Sequence, residues 1–395
     1  MLKGKDFIVF SDDWGRHPFS CQHIMRHFLP HNRLLWVQTI GLRTPELTLY
    51  DLRRSLEKAR SWLRPRPNNG HGPLPDNLHI LSPVMIPYNR IPVVRAFNRA
   101  SVTHAVRRAM SGLGMRSPIL LATVPNAADY AGRFGEALTV YYCVDDFTVW
   151  PKMNQPELVR EMEDSLLAES DLVVAVSQAL RDTRSCSSGP TRLLPHGVDF
   201  EHFSSSEKTL PQPVELKNLG KPIIGFYGLI DNHFDIDLMH ETIAARPGWQ
   251  FVCIGTKRIS LERLEGFPNF RWFPPVSYAR LPAFAACFDV AIIPYVINRH
   301  TQTANPLKLP EYIATGRPVV TTPMPETFRF AGKIRIAGEP AAFIGAIEEA
   351  LSDPASPESR RAVLAGESWE DKAEQLSNWM EEALAEAAGR EGRAS

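Results

Sequence analysis

Asp289-Val-Ala-Ile-Ile-Pro-Tyr295, then Asn305-Pro-Leu-Lys308-Leu-Pro-Glu311-Tyr, then Gly316-Arg-Pro-Val-Val-Thr-Thr322, is the stretch on which the reading of this chain turns. An apolar run, a polar loop, a short helical segment and a second apolar run make a βαβ unit. The loop then falls at the carboxyl end of a parallel sheet, where ligands of open α/β sheets bind. Asn305 is a candidate N-cap and Pro306 suits the first helical position. Amides exposed there, with the positive end of the helix dipole, favour an anion. Lys308 and Glu311 stand three apart and project from one face. A cation beside open amides suits a diphosphate, and a carboxylate one turn on suits the paired hydroxyls of a ribose. The competing reading is a surface helix carrying an ordinary salt bridge.

The segment Pro294…Asn298…Thr301…Asn305-Pro-Leu-Lys308-Leu…Glu311-Tyr-Ile-Ala-Thr-Gly316-Arg-Pro-Val-Val320 resembles the donor-site signature of GT-B glycosyltransferases. Within them it is similar to bacterial polysaccharide enzymes related to glycosyltransferase family four. The resemblance implies that Glu311 holds the donor ribose. It also implies that Lys308, with Gly228 and the Asn305, Pro306 and Leu307 backbone, meets the diphosphate. The sequence departs from the pattern once: eight residues before Glu311 the broader family has a second Glu, and Thr303 stands here. That Glu contacts the sugar, so the sugar and the stereochemical course stay open.

A chain of 395 residues with 44% apolar and 22% charged residues is an ordinary globular protein of two domains or one large one. A net charge of zero argues against a nucleic-acid partner. Residues 52–116 nevertheless hold 12 Lys/Arg against two acids, a local charge of +10. Within them Ile91-Pro-Val-Val-Arg-Ala-Phe97 sets apolar side chains among arginines, a combination suited to peripheral contact with an anionic membrane. A solvated helix face is the alternative. Five scattered cysteines, without metal-ligand spacing, point to a reducing compartment and no zinc. With no signal peptide and no apolar run of membrane-spanning length, a cytoplasmic location is expected.

The order of elements predicts an α/β chain with two Rossmann-like doubly wound domains. Strands are expected over 6–11, 33–40, 78–84, 118–124, 138–144, 172–177 and 192–194. Helices over 22–28, 47–63, 93–112 and 156–169 lie between them. A polar, Pro-containing stretch, 201–221, reads as the linker between domains 1–200 and 222–366. Second-half strands are expected over 222–227, 250–254, 270–273, 290–294, 319–322 and 333–336. Residues 369–388, rich in Ala, Glu and Leu, read as a terminal helix. The GT-B resemblance implies that the domains face each other across a cleft and that 367–395 crosses back to the first. Neither Gly-x-Gly-x-x-Gly nor a Walker loop is present, which argues against dehydrogenases and P-loop enzymes.

Two further constellations could carry chemistry. Asp145 and Asp146 sit at the end of a predicted strand, where mutual repulsion could raise one pKa towards a general base's range. The alternative is that one of them caps the next helix. Related transferases carry an aspartate here that lines up with Asp145. Ser11-Asp12-Asp13-Trp14-Gly15-Arg16-His17-Pro18 follows the first strand, and Asp13 and His17 are candidates for acceptor contact or for the base. Pro195-His196-Gly197-Val198-Asp199 reads as structural, with His196 near the donor. Tyr227-Gly228 places a glycine where a backbone can approach phosphate. The Arg and Lys that relatives carry after it are absent, leaving Lys308, with Arg299 or Lys257, to supply positive charge. Asp235-Ile-Asp237 reads as a helix-start acid pair rather than a metal motif.

The sequence therefore predicts a glycosyltransferase that uses a nucleotide-diphosphate sugar, UDP-linked by resemblance, as co-substrate, without cofactor or metal. A glycan or lipid-linked molecule would be its acceptor, in surface polysaccharide synthesis. A nucleotide-sugar epimerase or hydrolase of the same fold, and a catalytically silent partner in a polysaccharide assembly, are the alternatives.

Overall fold

The computed structural model describes residues 1–15, 19–39, 74–150, 153–186, 189–204 and 210–394. They divide into two compact units, Met1–Pro195 with Glu370–Ser395, and His196–Trp369.

The first unit is built on seven parallel strands: β1 (Asp6–Ser11), β2 (Arg33–Gln38), β3 (Leu78–Leu81), β4 (Ile119–Ala122), β5 (Leu138–Cys143), β6 (Leu172–Ala175) and β7 (Thr191–Leu193). Their spatial order is β3-β2-β1-β4-β5-β6-β7. The middle strands β4, β5 and β6 are buried at every residue, as continuous apolar runs covered on both faces should be. β3 stops before Pro83, short of the expected 84, because proline has no amide to donate to a ladder. Helices α1 (Ser20–Phe28), α2 (Pro92–Leu113), α3 (Pro156–Glu169) and α4 (Gln178–Thr183) complete the first pass of the chain. The helix expected over 47–63 lies outside the described residues.

The second unit has six parallel strands: β8 (Ile223–Tyr227), β9 (Gln250–Ile254), β10 (Phe270–Phe273), β11 (Val290–Ile293), β12 (Val319–Thr321) and β13 (Arg335–Ile336). The order is β10-β9-β8-β11-β12-β13. Alternate residues of β8 enter opposite cores: Ile223 and Tyr227 pack on one side, Ile224 and Phe226 on the other. Gly225 lies between them because the Phe288 ring covers it, about where a Cβ would stand, at 2.1 Å. Helices α5 (Phe200–Ser204), α6 (Ile236–Ala245), α7 (Glu262–Glu265), α8 (Leu281–Ala285), α9 (Lys308–Ala314), α10 (Pro340–Leu351) and α11 (Pro357–Arg361) surround this sheet.

The segment 201–221, expected as a linker, behaves differently in its described part. Phe203 and Leu216 are fully buried in the core of the second unit, so this stretch is packed structure. The chain ends in α12 (Trp369–Ala394). Its buried residues Trp369, Ala373, Leu376, Met380 and Ala383 recur every four and three positions, one apolar stripe along a helix. The Leu2 amide donates to Ser377 Oγ at 2.6 Å, joining the two ends of the chain within the first unit.

In each sheet the strand order reverses once, between β1 and β4 and between β8 and β11. Loops diverge at such a point and leave a crevice at the carboxyl ends of the strands.

Candidate active site

The β8/β11 crevice gathers the residues singled out in the second unit. The expected cap at Asn305 is not formed: α9 begins at Lys308, with Leu307 as a helical N-cap residue that makes no side-chain cap bond. The start is displaced because Leu309 N–H bonds to Pro306 C=O in a tight turn ahead of the helix. Asn305, Pro306 and Leu307 thus lead into the helix rather than cap it. Lys308 extends over Gly228, and a Cβ there would stand 2.6 Å from its Cε. Gly228 has φ of +141°, a conformation that side-chain-bearing residues rarely adopt. The Lys308 ammonium donates to the Tyr295 hydroxyl and lies 5.4 Å from the Phe226 ring centre. A cation held over aromatic faces is attracted by the negative face of each ring.

Glu311, one turn on, accepts a 2.7 Å hydrogen bond from the Tyr227 hydroxyl. Tyr227 is itself fixed edge-on to Tyr312, whose hydroxyl accepts from the Tyr227 amide at 2.7 Å. Burial pushes the Glu311 carboxyl up to about 7. The Tyr227 bond and the Lys308 charge pull the other way, and Asp199 adds to the rise. Lys308 and Glu311 are each engaged by a different tyrosine. The plain surface ion pair is therefore not what this helix carries.

The neighbouring loop is organised by its own short side chains. Asn298 Oδ1 accepts from the His300 and Thr301 amides, and Thr301 Oγ1 donates to Val296 C=O at 2.7 Å. Thr303 donates its hydroxyl to His300 C=O at 2.9 Å, half-buried in the same turn. His300 meets His233 at 2.5 Å between ring nitrogens, and Asp231 holds the other nitrogen of His233 at 2.5 Å. Neither histidine was singled out by the sequence. Asp235 caps α6 through the Leu238 amide and Asp237 pairs with Arg263, so the Asp-x-Asp string is the helix start it was read as. Lys257 pairs with Glu265 and lies 4.4 Å over the Trp272 ring. Among the described residues no three His, Cys, Asp or Glu side chains are grouped to hold a metal ion.

In the first unit, Asp145 and Asp146 follow β5. Asp146 caps the next turn, accepting from Thr148 N–H and Oγ1 at 3.1 and 2.6 Å, and pairs with Arg184 at 3.1 Å. Burial alone would raise its pKa, but Thr148 and Arg184 outweigh it and the pKa is lowered. The expected rise by mutual repulsion is therefore overturned at Asp146: its charge is matched by a guanidinium that also binds buried Glu163 at 3.3 Å. Asp145 Oδ2 accepts from the Trp150 indole at 2.7 Å and Oδ1 from the Asp146 amide. Asp13 lies in the loop after β1, beside Trp14, which packs edge-on to Trp36 at 4.8 Å. His17 lies outside the described residues. Gly197 packs against Trp369, with a Cβ position 3.0 Å from its ring, which accounts for the glycine of that motif.

Two doubly wound parallel sheets of these orders are those of the GT-B fold. Its members among solved structures include sucrose-phosphate synthase from Thermosynechococcus elongatus (TM-score 0.70, 16% identity, 96% of this chain and 99% of that one). Anabaena HepE in complex with UDP-glucose superposes with a TM-score of 0.65 at 12% identity, over 95% of this chain and 99% of HepE. Residues 221–353, the heart of the second unit, match the family of Glycosyl transferases group 1. A relative in Bacillus subtilis (strain 168), TuaH, is 29% identical over 185 residues, 44% of this chain. Its name assigns it provisionally to teichuronic acid biosynthesis as a glycosyltransferase. The match spans about half of that relative, 46% of its length.

Proposed function

We propose that this protein transfers a sugar from a nucleotide-diphosphate sugar, UDP-linked, to a glycan or lipid-linked acceptor. The observation that carries the reading is the crevice at β8 and β11, where Lys308 on Gly228 and Glu311 on Tyr227 meet. Glu311 would accept the two ribose hydroxyls, and Lys308 would face the diphosphate beside the Gly228 backbone. In the reaction the anomeric C–O bond to the diphosphate breaks and a bond to the acceptor oxygen forms. The acceptor's proton passes to a base, for which Asp145 is the candidate, with Asp13 the other acid at a strand end. Negative charge growing on the leaving diphosphate would be met by the Lys308 cation, which needs no reorganisation at that moment. HepE's complex with UDP-glucose and an E. coli protein bound to UDP-2-fluoro glucose share the fold and support a nucleotide-sugar donor here.

A lipid-linked acceptor draws support from α2. Asn98 is buried and pins the preceding loop, accepting from Ile86 N–H and donating to Ile86 C=O, both at 2.8 Å. That fixed loop and the first turns of α2 leave Val84, Ile86, Tyr88, Ile91, Val93 and Phe97 exposed. We read this face as the peripheral membrane contact. No helix among the described residues is long and apolar enough to cross a membrane.

Calorimetry of UDP, GDP and ADP binding to the wild type and to Glu311→Ala tests the donor site. One nucleotide should bind, and the variant should lose roughly 100-fold or more in affinity, the cost of two charge-assisted hydrogen bonds at about 1.5 kcal/mol or more each. A folded wild type that binds none of the three would sink the reading.

A further inference from the structure

Two tyrosines intercept the charges of α9. Lys308 donates to the Tyr295 hydroxyl, and Glu311 Oε2 accepts from the Tyr227 hydroxyl at 2.7 Å. Among the described residues no ion pair joins Lys308 to Glu311, and no donor other than Tyr227 bonds the Glu311 carboxyl. Tyr227 ends β8 and is 3% exposed. Tyr312 clamps its backbone: the Tyr312 hydroxyl accepts from the Tyr227 amide at 2.7 Å and donates to the Tyr227 carbonyl at 3.4 Å. The two rings also meet edge-on at 4.7 Å, which fixes where the Tyr227 hydroxyl points.

A fixed phenol has a definite effect on its carboxylate. Burial keeps Tyr227 well above its ordinary pKa of 10, so the hydroxyl stays neutral and has one proton to donate. A carboxylate offers about four acceptor positions on its two oxygens; Tyr227 uses one and leaves the others for a diol. The last torsion of a glutamate is broad, so without a donor the carboxyl would sample many angles. Tyr227 removes that freedom before a ligand arrives, and such preorganisation raises affinity.

We propose that Tyr227 is a positioning residue for ribose recognition, its hydroxyl holding the Glu311 carboxylate ready for the 2′ and 3′ hydroxyls of the donor nucleotide. This rests on the donor-site reading above and deepens it, because it names the group through which the pocket selects ribose over deoxyribose. Glu311 makes charge-assisted bonds to both hydroxyls only when ionised. A proton held up to about pH 7 therefore returns to solvent as the ribose binds, and no covalent bond of the nucleotide changes. Affinity then rises with pH, by at most about tenfold per unit, and levels off above about 7. The Tyr227 bond favours the charged carboxylate, so its loss moves the levelling to higher pH.

The other groups around Glu311 come from the elements packed on α9. α9 itself brings Lys308, whose charge lowers the carboxyl's pKa, and the turn before α5 brings Asp199, whose charge raises it. On α5, His202 is bonded to the Tyr278 carbonyl at 3.1 Å, and Glu201 is exposed. On α11, Arg360 holds the Gly316 carbonyl, and Arg361 holds those of Ala314 and Thr315, all at the far end of α9. β12 and residues 362–364, which also pack on α9, carry no charge. Tyr227 is thus the one neutral donor set directly on the carboxyl among the described residues, and removing its hydroxyl leaves every charge in place.

The test is calorimetry of UDP and 2′-deoxyUDP binding between pH 6.5 and 9, with wild type, Tyr227→Phe and Glu311→Gln. The phenylalanine keeps the ring and its packing and removes only the hydroxyl. The terminal phosphate of UDP itself titrates near about 6, equally for all three proteins. At pH 7, Tyr227→Phe should bind UDP roughly tenfold more weakly than wild type. Its affinity should level off at a higher pH, and its preference for UDP over 2′-deoxyUDP should fall. Glu311→Gln should lose both the rise with pH beyond that of the phosphate and the preference. A loss in Tyr227→Phe that is uniform across pH, with the preference unchanged, would make Tyr227 a packing residue and overturn its role. Binding by Tyr227→Phe identical to wild type would overturn it too, and weakened binding by Glu311→Gln would then leave the donor site standing. No UDP binding by folded wild type would overturn both.

Discussion

Glu311 shows how a single side chain can be tuned by what surrounds it. A carboxylate of ordinary pKa 4.5 lifted to about 7 holds its proton more tightly in the native state than in the unfolded one. Between those values the native state binds more protons, so stability falls as pH rises. The full contribution is present below 4.5 and is gone once pH has passed through 7. The upper limit is about 3 kcal/mol, from 1.36 kcal/mol per pH unit, and partial exposure of the residue reduces it. Glu311→Gln should remove this dependence. Urea unfolding at pH 5, 6, 7 and 8 should show wild type losing stability relative to the variant as pH rises. Parallel curves would show that the carboxyl is not held protonated near neutrality.

At the scale of elements, the crevice exists because two glycines let loops touch. Gly255, after β9, has φ of +143°, and a Cβ there would stand 1.9 Å from the Gly228 carbonyl oxygen. Backbone cannot rotate away as a flexible side chain can. Gly255→Ala should cost about 3 kcal/mol or more in the stability of the second unit, and weaken nucleotide binding with it. Gly248→Ala, in open space, should stay within about 0.5 kcal/mol of wild type. Equal midpoints in thermal unfolding would contradict the close approach. The same elements show what could be read in advance. Buried parallel strands announce themselves as continuous apolar runs, so β9 matches the expected limits to the residue, and the Lys308/Glu311 spacing was visible within one helical turn. Tyr227 meets Glu311 across 84 residues and His233 meets His300 across 67, and no local pattern encodes such a pairing. The α9 cap was misplaced for a related reason: Asn305 and Pro306 have the composition of a helix start. A hydrogen bond onto the Pro306 carbonyl made the preceding turn instead.

For the molecule as a whole, a net charge of zero gives no general attraction to an anionic surface, so any membrane contact must come from one face. The face proposed for it is that of α2, which carries two rows of side chains. Val102, Val106 and Met110, four apart, are buried in the first unit, whereas Val93 and Phe97, also four apart, are 79% and 47% exposed. Not every arginine nearby can face lipid: Arg95 is held by Asp129 and Glu161, both at 2.9 Å. Arg90 and Arg99 are exposed and can meet acidic headgroups. Burying two such apolar side chains in part is worth about 2 kcal/mol, and each basic residue near the surface about 1 kcal/mol, fading with salt. Sedimentation with vesicles of phosphatidylglycerol and phosphatidylcholine should therefore show binding that weakens as salt rises. Val93→Ser with Phe97→Ser should lower the partition coefficient roughly 30-fold at every salt concentration. Arg90→Gln with Arg99→Gln should lower it at low salt only, because the screened part is the part they supply. An apolar loss without a charge effect would leave a face made for another protein, and equal binding by all three proteins would remove the membrane from the account of the acceptor.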